Sequence, residues 1–265
     1  MRERVRVPEL LAARARGDYD VEDRFFTQLQ LRNGVYKMTE RHRFDDTLDA
    51  TVAHANRIGA RRVLDVACSS GISTLELATA LCTREVHGTD LTIDATYLER
   101  DGFGWLVDAN DRVLQVDHPQ WAMPWSPGKR ELALHPIRVA HSLLLRAVRR
   151  SLRSFAHTQV SLISSQVAAT SVQIHEEDAR KPTVPGLFEL VRVANFMNVF
   201  YFSRRQLLAL RDAVVSRIAD GGVLFIVRTH HDRSNHGSYF ERRGSRMVEL
   251  DRVGAGSEVR ELITR

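Results

Sequence analysis

The sequence contains only two cysteines, Cys68 and Cys82. Neither C-x-x-C spacing nor a set of pairing partners is present, which excludes a disulfide scaffold and a zinc centre built on thiolates and suits a reducing, cytoplasmic setting. Long apolar runs are also missing: the longest, near Phe196 and Val223, fall well short of a bilayer span, so no membrane segment is expected. The basic start, MRERVRVPELLAARARGDYD, lacks the apolar run and small-residue cleavage site of a secretory leader and reads as a frayed polar helix. No repeat period and no low-complexity tract occur, so the organisation must come from ordinary alternation of strands and helices. The net charge of +5 bears on association rather than fold, and nucleic acid is not an expected partner.

What is present is an alternating α/β pattern in 265 residues, a length that fits one such domain with appendages. In residues 61–81 a short apolar run, Val63 to Ala67, leads through small residues into Ile72, Leu75, Ala78 and Leu81 at helical spacing, which predicts strand, tight turn and helix. Residues 188–229 repeat the theme. FELVRVA reads as a buried strand, RRQLLALRDAVVSRIA as an amphipathic helix opened by a Ser203–Gln206 capping box, and VLFIVRT as another buried strand after Asp220-Gly221-Gly222. Strands alternating with helices imply parallel pairing through right-handed crossovers and a sheet covered on both faces.

In such sheets a ligand sits beyond the carboxyl ends of the strands, which directs attention to the turn Cys68-Ser69-Ser70-Gly71. A dinucleotide fold would place G-x-G-x-x-G here, and that spacing is absent. The stretch Asp65-Val66-Ala67-Cys68-Ser69-Ser70-Gly71 instead resembles the first motif of class I S-adenosylmethionine-dependent methyltransferases, an acid followed by G-x-G-x-G, with Ala67 and Ser69 replacing two of the glycines. Further segments resemble the family in order. Glu85 to Asp90 reads as a second strand ending in the carboxylate that accepts the ribose hydroxyls. Val172 to Ala179 reads as a third, with Asp178 (or its rival Glu177) near adenine and Ala179 beside it. FELVRVANFMN reads as the fourth strand, with Asn195 at its end, and ADGGVLFIV as the fifth.

The resemblance implies a Rossmann-like, doubly wound, mostly parallel seven-stranded sheet with helices on both faces, over residues 61–265. Residues 91–169 are too long for a simple crossover and are expected to form an inserted cover: a hairpin around Asp108 to Asp111, an aromatic loop, and a helix over 136–155 with a row of arginines on one side. Trp105, Trp121 and Trp125 offer either stacking faces for a substrate or ordinary packing. Residues 1–60 are expected to form an N-terminal helical lid, from which Tyr36, Lys37, Arg41 and Arg43 are candidates to hold the cofactor's carboxylate.

The cofactor implied is S-adenosylmethionine, held by Asp65, Ala67, Ser69, Gly71, Asp90, Asp178, Ala179, Asn195, Tyr36 and Arg41. In-line transfer of its methyl group needs chiefly alignment of an acceptor and, where required, removal of a proton. Asn198 and Tyr201, at the end of the fourth strand, and His230, after the fifth, are the candidate catalytic groups; His230 and His231 read equally as a surface pair. Their neighbours Asp232 and His236 do not give regular metal-ligand spacing, and no metal is expected. The [DN]-P-P-[YFW] sequence of amino-methylating DNA and protein-glutamine enzymes is absent, which counts against those acceptors; a small-molecule acceptor is expected. Two other readings stay open: an enzyme that transfers or cyclises the aminocarboxypropyl arm of the same cofactor, releasing methylthioadenosine, and a non-catalytic cofactor- or nucleic-acid-binding module.

Overall fold

A computed structural model of the chain describes residues 4–31, 36–37, 40–82, 84–110, 112–125 and 156–264. In chain order its elements are α1 (Val7–Arg16), α2 (Tyr19–Gln28), α3 (Asp45–Arg57), β1 (Arg62–Val66), α4 (Ile72–Leu81), β2 (Glu85–Asp90), β3 (Asp94–Arg100), β4 (Phe103–Asp108), β5 (Val113–His118), β6 (Trp121–Pro124), β7 (Ala156–Ser161), α5 (Ser165–Ala168), β8 (Gln173–Glu176), β9 (Phe188–Ala194), α6 (Arg204–Val215), β10 (Ile218–Thr229), β11 (Asn235–Arg243), β12 (Arg246–Val253) and α7 (Arg260–Ile263). They fall into two compact units, Met1–Met38 with Asp94–Leu162, and Thr39–Ile93 with Ile163–Arg265.

The second unit carries the α/β core. Its sheet has the order β12-β11-β10-β9-β1-β2-β8. The five strands from β8 to β10 pair in parallel, while β11 runs antiparallel to β10 and β12 antiparallel to β11. The sheet is therefore mixed: a β10–β11–β12 meander replaces the further helical crossovers that a mostly parallel sheet would need. Period-two alternation buries both faces. Val63, Val86, Leu190 and Phe225 pack against Leu77 and Leu81 of α4 and Ala55 of α3. Leu64, Val191, Val193 and Leu224 pack against Leu207, Leu210 and Val214 of α6. The Ser203–Gln206 capping box opens α6 as predicted. Asp220-Gly221-Gly222 does not precede the strand but lies inside β10, where Gly221, at φ +75°, sits in the bulge that shifts the β9–β10 register between Ile218 and Val223.

From β1 the chain steps outward to β2 and β8, then returns to the other side of β1 for β9 and β10. The strand order thus reverses between β1 and β9, which is where open α/β sheets bind ligands.

The first unit departs further from expectation. Among the described residues the insertion is more than a hairpin: its strands form a five-stranded antiparallel sheet, β6-β5-β4-β3-β7. The expected hairpin is its β4–β5 pair, closed by the amides of Asn110 and Arg112, each donating at 2.9 Å to Oδ1 of Asp108. The helix expected over 136–155, with its arginine row, lies outside the described residues. The start of the chain is not a frayed polar helix either. Val7 and Leu10 of α1 and Phe25 and Phe26 of α2 are buried with Ala95, Tyr97, Leu106, Leu114 and Val160 of the sheet. Residues 1–60 divide between the units, α1 and α2 packing in the first and α3 in the second. Trp105 and Trp125 pack with Leu98, Val107 and Val116 on the opposite face of the five-stranded sheet, and Trp121 stacks on His118 with ring centroids 5.0 Å apart. Among the described residues no helix is long and apolar enough to cross a membrane, and no group of His, Cys, Asp and Glu is arranged to hold a metal ion.

A buried carboxylate ties α1 to this sheet. The Val7 amide donates to Asp117 Oδ2 at 2.7 Å and Gln115 Nε2 to Oδ1 at 2.8 Å. Burial pushes the Asp117 carboxyl up to about 6, against the lowering effect of those hydrogen bonds. A raised acid pKa means that the folded state holds a proton the unfolded chain has released, so this contribution is full below pH 3.8 and is lost as pH rises through about 6. All three tryptophans lie in this unit, so their fluorescence reports on it. Denaturant titrations followed by tryptophan emission are expected to show stability falling between about pH 4 and pH 6 by up to about 3 kcal/mol, and Asp117→Asn to remove that slope; an unchanged slope in the variant contradicts the assignment.

Candidate functional site

Because β8, β2, β1, β9 and β10 are parallel, their carboxyl ends line one edge of the second unit's sheet: Glu176, Asp90, Val66, Ala194 and Thr229. The turn from Ala67 to Gly71 leaves β1 at this edge and enters α4. Ala67 (φ +59°), Ser69 (φ +61°) and Gly71 (φ +83°) are all left-handed. These are the three positions at which the family motif places glycine. A non-glycine residue in this region costs about 1–2 kcal/mol, so Ala67 and Ser69 are strained unless their neighbours hold them. The hydrogen bonds that do so come mostly from β2 and from the start of α5. Cys68 N–H donates to the Thr89 carbonyl at 2.9 Å, Ser69 N–H to Asp90 Oδ2 at 2.8 Å, and Ser164 N–H to the Ser70 carbonyl at 2.9 Å. A Cβ on Gly71 would meet Val167 of α5 at 3.1 Å.

Asp65, one residue before the end of β1, is wholly buried. Its oxygens accept from Arg192 Nε at 2.9 Å and Nη2 at 2.6 Å, and from Thr74 Oγ1 at 2.5 Å. Asp65 and Arg192 face each other in the β1–β9 register. Burial alone would lower the Arg192 pKa, but the Asp65 carboxylate overrides it and holds the guanidinium charged. Asp65 therefore anchors the frame of the site instead of presenting a carboxylate to a ligand.

Asp90 stands at the rim, with Oδ2 accepting from Ser69 N–H and Oδ1 from Thr92 N–H at 3.2 Å. Of the two acids after β8, Glu177 is buried and accepts from Thr183 N at 2.6 Å, from Val184 N at 2.8 Å and from Arg217. Burial pushes its pKa up, and these donors more than reverse the effect. Glu177 thus fastens the 177–187 connection, which leaves Asp178 as the acid at the edge. Arg180 donates to both Asp178 oxygens, at 2.9 and 2.6 Å, and holds its carboxyl below the usual range. Ala179 turns inward and packs in the core beneath α6.

At the other half of the edge, Asn195 is left-handed (φ +55°) and its amide is locked to β10: Oδ1 accepts from Thr229 N at 2.7 Å and Nδ2 donates to Thr229 Oγ1 at 3.3 Å. Asn198 is buried and holds its own loop, with Oδ1 accepting from the Phe200 and Tyr201 amides at 3.0 and 3.1 Å and Nδ2 donating to the Phe196 carbonyl. Its amide is a loop clamp, not a free catalytic group. Tyr201 and Phe200 on that loop are exposed. His230 is exposed in the β10–β11 turn, its ring edge-on to His236 with centroids 4.5 Å apart. Arg41 donates to Gln166 of α5 at 2.9 Å, which brings it beside the turn through Ser164. Tyr36, bridged to Gln30, and the buried Lys37 belong to the first unit and not to this one.

The sequence did not single out Arg192, the clasp made by Ser164 and Gln166, or the role of Thr229. Arg192 carried a signal: a charge inside FELVRVA demands a buried partner, and Asp65 in the neighbouring strand is one. A groove of about 570 Å³ opens between Val199, Phe202 and the Glu258 to Leu262 segment. None of the turn residues lines it.

No family model and no curated protein matches the sequence. Solved structures with partial likeness include the N-methyltransferase NodS from Bradyrhizobium japonicum WM9 in complex with S-adenosyl-L-homocysteine, at 14% identity and TM-score 0.36, covering 76% of this chain and 68% of that one. SAM-bound CalS10, an amino pentose methyltransferase from Micromonospora echinaspora, is 19% identical with TM-score 0.37, covering 79% of this chain and 62% of that one. An O-methyltransferase family protein from Burkholderia thailandensis is 11% identical with TM-score 0.37, covering 86% of this chain and 47% of that one.

Removing one partner of the buried pair, as in Asp65→Asn or Arg192→Met, is expected to cost about 3–5 kcal/mol, with much of that loss recovered when both are replaced by apolar residues. A double-mutant cycle by chemical denaturation measures this; additive single losses contradict a direct pair. In the turn, Gly71→Ala is expected to destabilise by about 1–2 kcal/mol, whereas Ala67→Gly, which relieves a strained backbone, is expected to leave stability unchanged or raise it. Equal losses from both would show that Ala67 carries no strain.

Proposed function

We propose that the chain is an S-adenosylmethionine-dependent methyltransferase acting on a small molecule. The observation that carries this reading is the alternation of left-handed residues at Ala67, Ser69 and Gly71, immediately after β1 and pinned to Asp90 at the end of β2. Such a turn lets a ligand approach the backbone closely, and it sits beside the switch in strand order. The residues present fit the cofactor. A carboxylate at the rim suits a ribose diol, because each oxygen can accept more than one hydrogen bond. A second acid, Asp178, follows the adjacent strand β8 on the same sheet edge, which suits an exocyclic amine.

When bound, S-adenosylmethionine supplies an activated methyl group on a sulfonium. The chain's own residues have the work of alignment. Asp90 would accept the ribose hydroxyls while Ser69 and Thr92 hold its orientation. Asp178 would face adenine, its carboxylate oriented by the more than half exposed Arg180 side chain. Arg41, held by Gln166, would pair with the cofactor's carboxylate. Asn195 would act through Thr229 by fixing the ends of β9 and β10, where the acceptor lies. Tyr201 and His230 supply hydrogen-bonding and proton-accepting groups on that side. Asp65 acts through Arg192 as a positioning residue.

Isothermal titration is expected to give saturable binding of S-adenosylmethionine, weakened about tenfold by Asp90→Asn, in line with about 1.5–3 kcal/mol for a hydrogen bond to a charged group. Mass spectrometry of reactions with an acceptor panel is expected to show a methylated product and S-adenosylhomocysteine. Methylthioadenosine instead would assign the chemistry to the aminocarboxypropyl arm. No binding of the cofactor would overturn both.

A further inference from the structure

We propose that Arg43 is the recognition group for a carboxylate on the acceptor, and that the acceptor is accordingly an aromatic or apolar carboxylic acid. The proposal rests on the methyltransferase reading and adds its substrate class.

The arginines at this edge differ in how their charge is met. Arg228 donates to both oxygens of Glu258 at 2.9 Å, with the Phe200 ring over its guanidinium. Arg233 is paired with Glu40, and Arg180 with Asp178. Half-buried Arg43 has no such partner: its Nε donates to Thr229 Oγ1 at 3.0 Å, and among the described residues its two terminal nitrogens meet no hydrogen-bond or ion-pair partner. Glu40 is within electrostatic reach of Arg43 but is engaged by Arg233, whose own charge opposes that of Arg43.

The guanidinium is also held in place. The Arg43 carbonyl accepts from Asn235 Nδ2 at 2.8 Å, and Thr229 Oγ1 donates onward to Asn235 Oδ1 at 2.8 Å. Fixing both the backbone and Nε leaves a planar pair of N–H donors already oriented, which is the geometry that selects a carboxylate and lowers the ordering cost of binding it.

Location separates this group from the cofactor. Thr229 ends β10 and is locked to Asn195 after β9, so Arg43 stands at the half of the edge beyond the strand-order reversal from Asp90. The ligand's body would meet the adjacent loop, where Tyr201 is exposed and within electrostatic reach of Arg43 and Phe200 is exposed beside it. A charged fork flanked by aromatic surface selects an anion with an apolar body.

The test uses the full chain, S-adenosylhomocysteine, benzoate and its neutral isostere benzamide. Titration calorimetry with S-adenosylhomocysteine is run first on the wild type, Arg43→Gln and Arg43→Lys; affinities within about twofold of each other are expected, and they certify the fold of the variants. Benzoate is then titrated with and without saturating S-adenosylhomocysteine. Saturable benzoate binding is expected, with benzamide at least tenfold weaker, Arg43→Gln reducing benzoate affinity at least tenfold, and Arg43→Lys intermediate. Equal binding of benzoate and benzamide, no saturable benzoate binding, or an Arg43→Gln variant that binds benzoate normally would overturn the proposal. A tenfold loss of S-adenosylhomocysteine affinity in Arg43→Gln would overturn it too, by assigning the fork to the cofactor. Failure of the wild type to bind S-adenosylhomocysteine would overturn the methyltransferase reading, while the benzoate arm without it still reads Arg43 alone.

Discussion

The buried pairing of Asp65 with Arg192 is the constraint around which the second unit is organised. Both groups lie in adjacent central strands, β1 and β9, and both are almost completely removed from water. Such a pair is a poor source of net stability, because desolvating two charges offsets most of their attraction, but a mismatched alternative leaves a naked charge in the core. Its value is therefore specificity. It fixes the β1–β9 register at the point where strand order reverses, and through Thr74 and Ser73 it fixes the first turn of α4 as well. The turn between β1 and α4 thus begins and ends on elements that one ion pair holds together.

That rigidity explains how two residues with side chains occupy backbone conformations that favour glycine. The strain at Ala67 and Ser69 persists because β1, α4, β2 and α5 over-determine the turn: Thr89 and Asp90 take its amides, and Ser164 donates to its carbonyl. Strain held this way is characteristic of places where a ligand must come close to the main chain. The same edge shows a division of labour. Glu177 and Asn198, both buried, and half-buried Asn195 fasten loops, while Asp90 and Asp178 close the carboxyl ends of β2 and β8 and Arg43 and Tyr201 lie less buried on the other half of the edge.

Much of this was legible in the sequence. The β1–turn–α4 segment, β2 ending in Asp90, and the β9–α6–β10 run with its capping box were readable because apolar periodicity and end signals agree there. In the first unit only the β4–β5 hairpin was. In DATYLER the strand buries Ala95 and Tyr97 into one core and Leu98 into another, so its pattern shows no single apolar face. Charged arginines likewise disguised α1, whose Val7, Leu10 and Ala13 are fully buried. At the site, residue type and order gave the acids, but not which of them anchor the frame: Asp65 and Glu177 are each held by a buried arginine supplied from a strand or turn more than a hundred or about forty residues away. Pairing at such separation is set by register, which a single sequence does not display.

The central claim is that a cofactor lies against the Ala67 to Gly71 turn and the end of β2. Hydrogen–deuterium exchange with and without S-adenosylhomocysteine tests it directly. Slowed exchange confined to peptides covering residues 66–72, 88–93 and 176–181 is the predicted result. Unchanged exchange in the 66–72 peptide at a saturating concentration of ligand would contradict it.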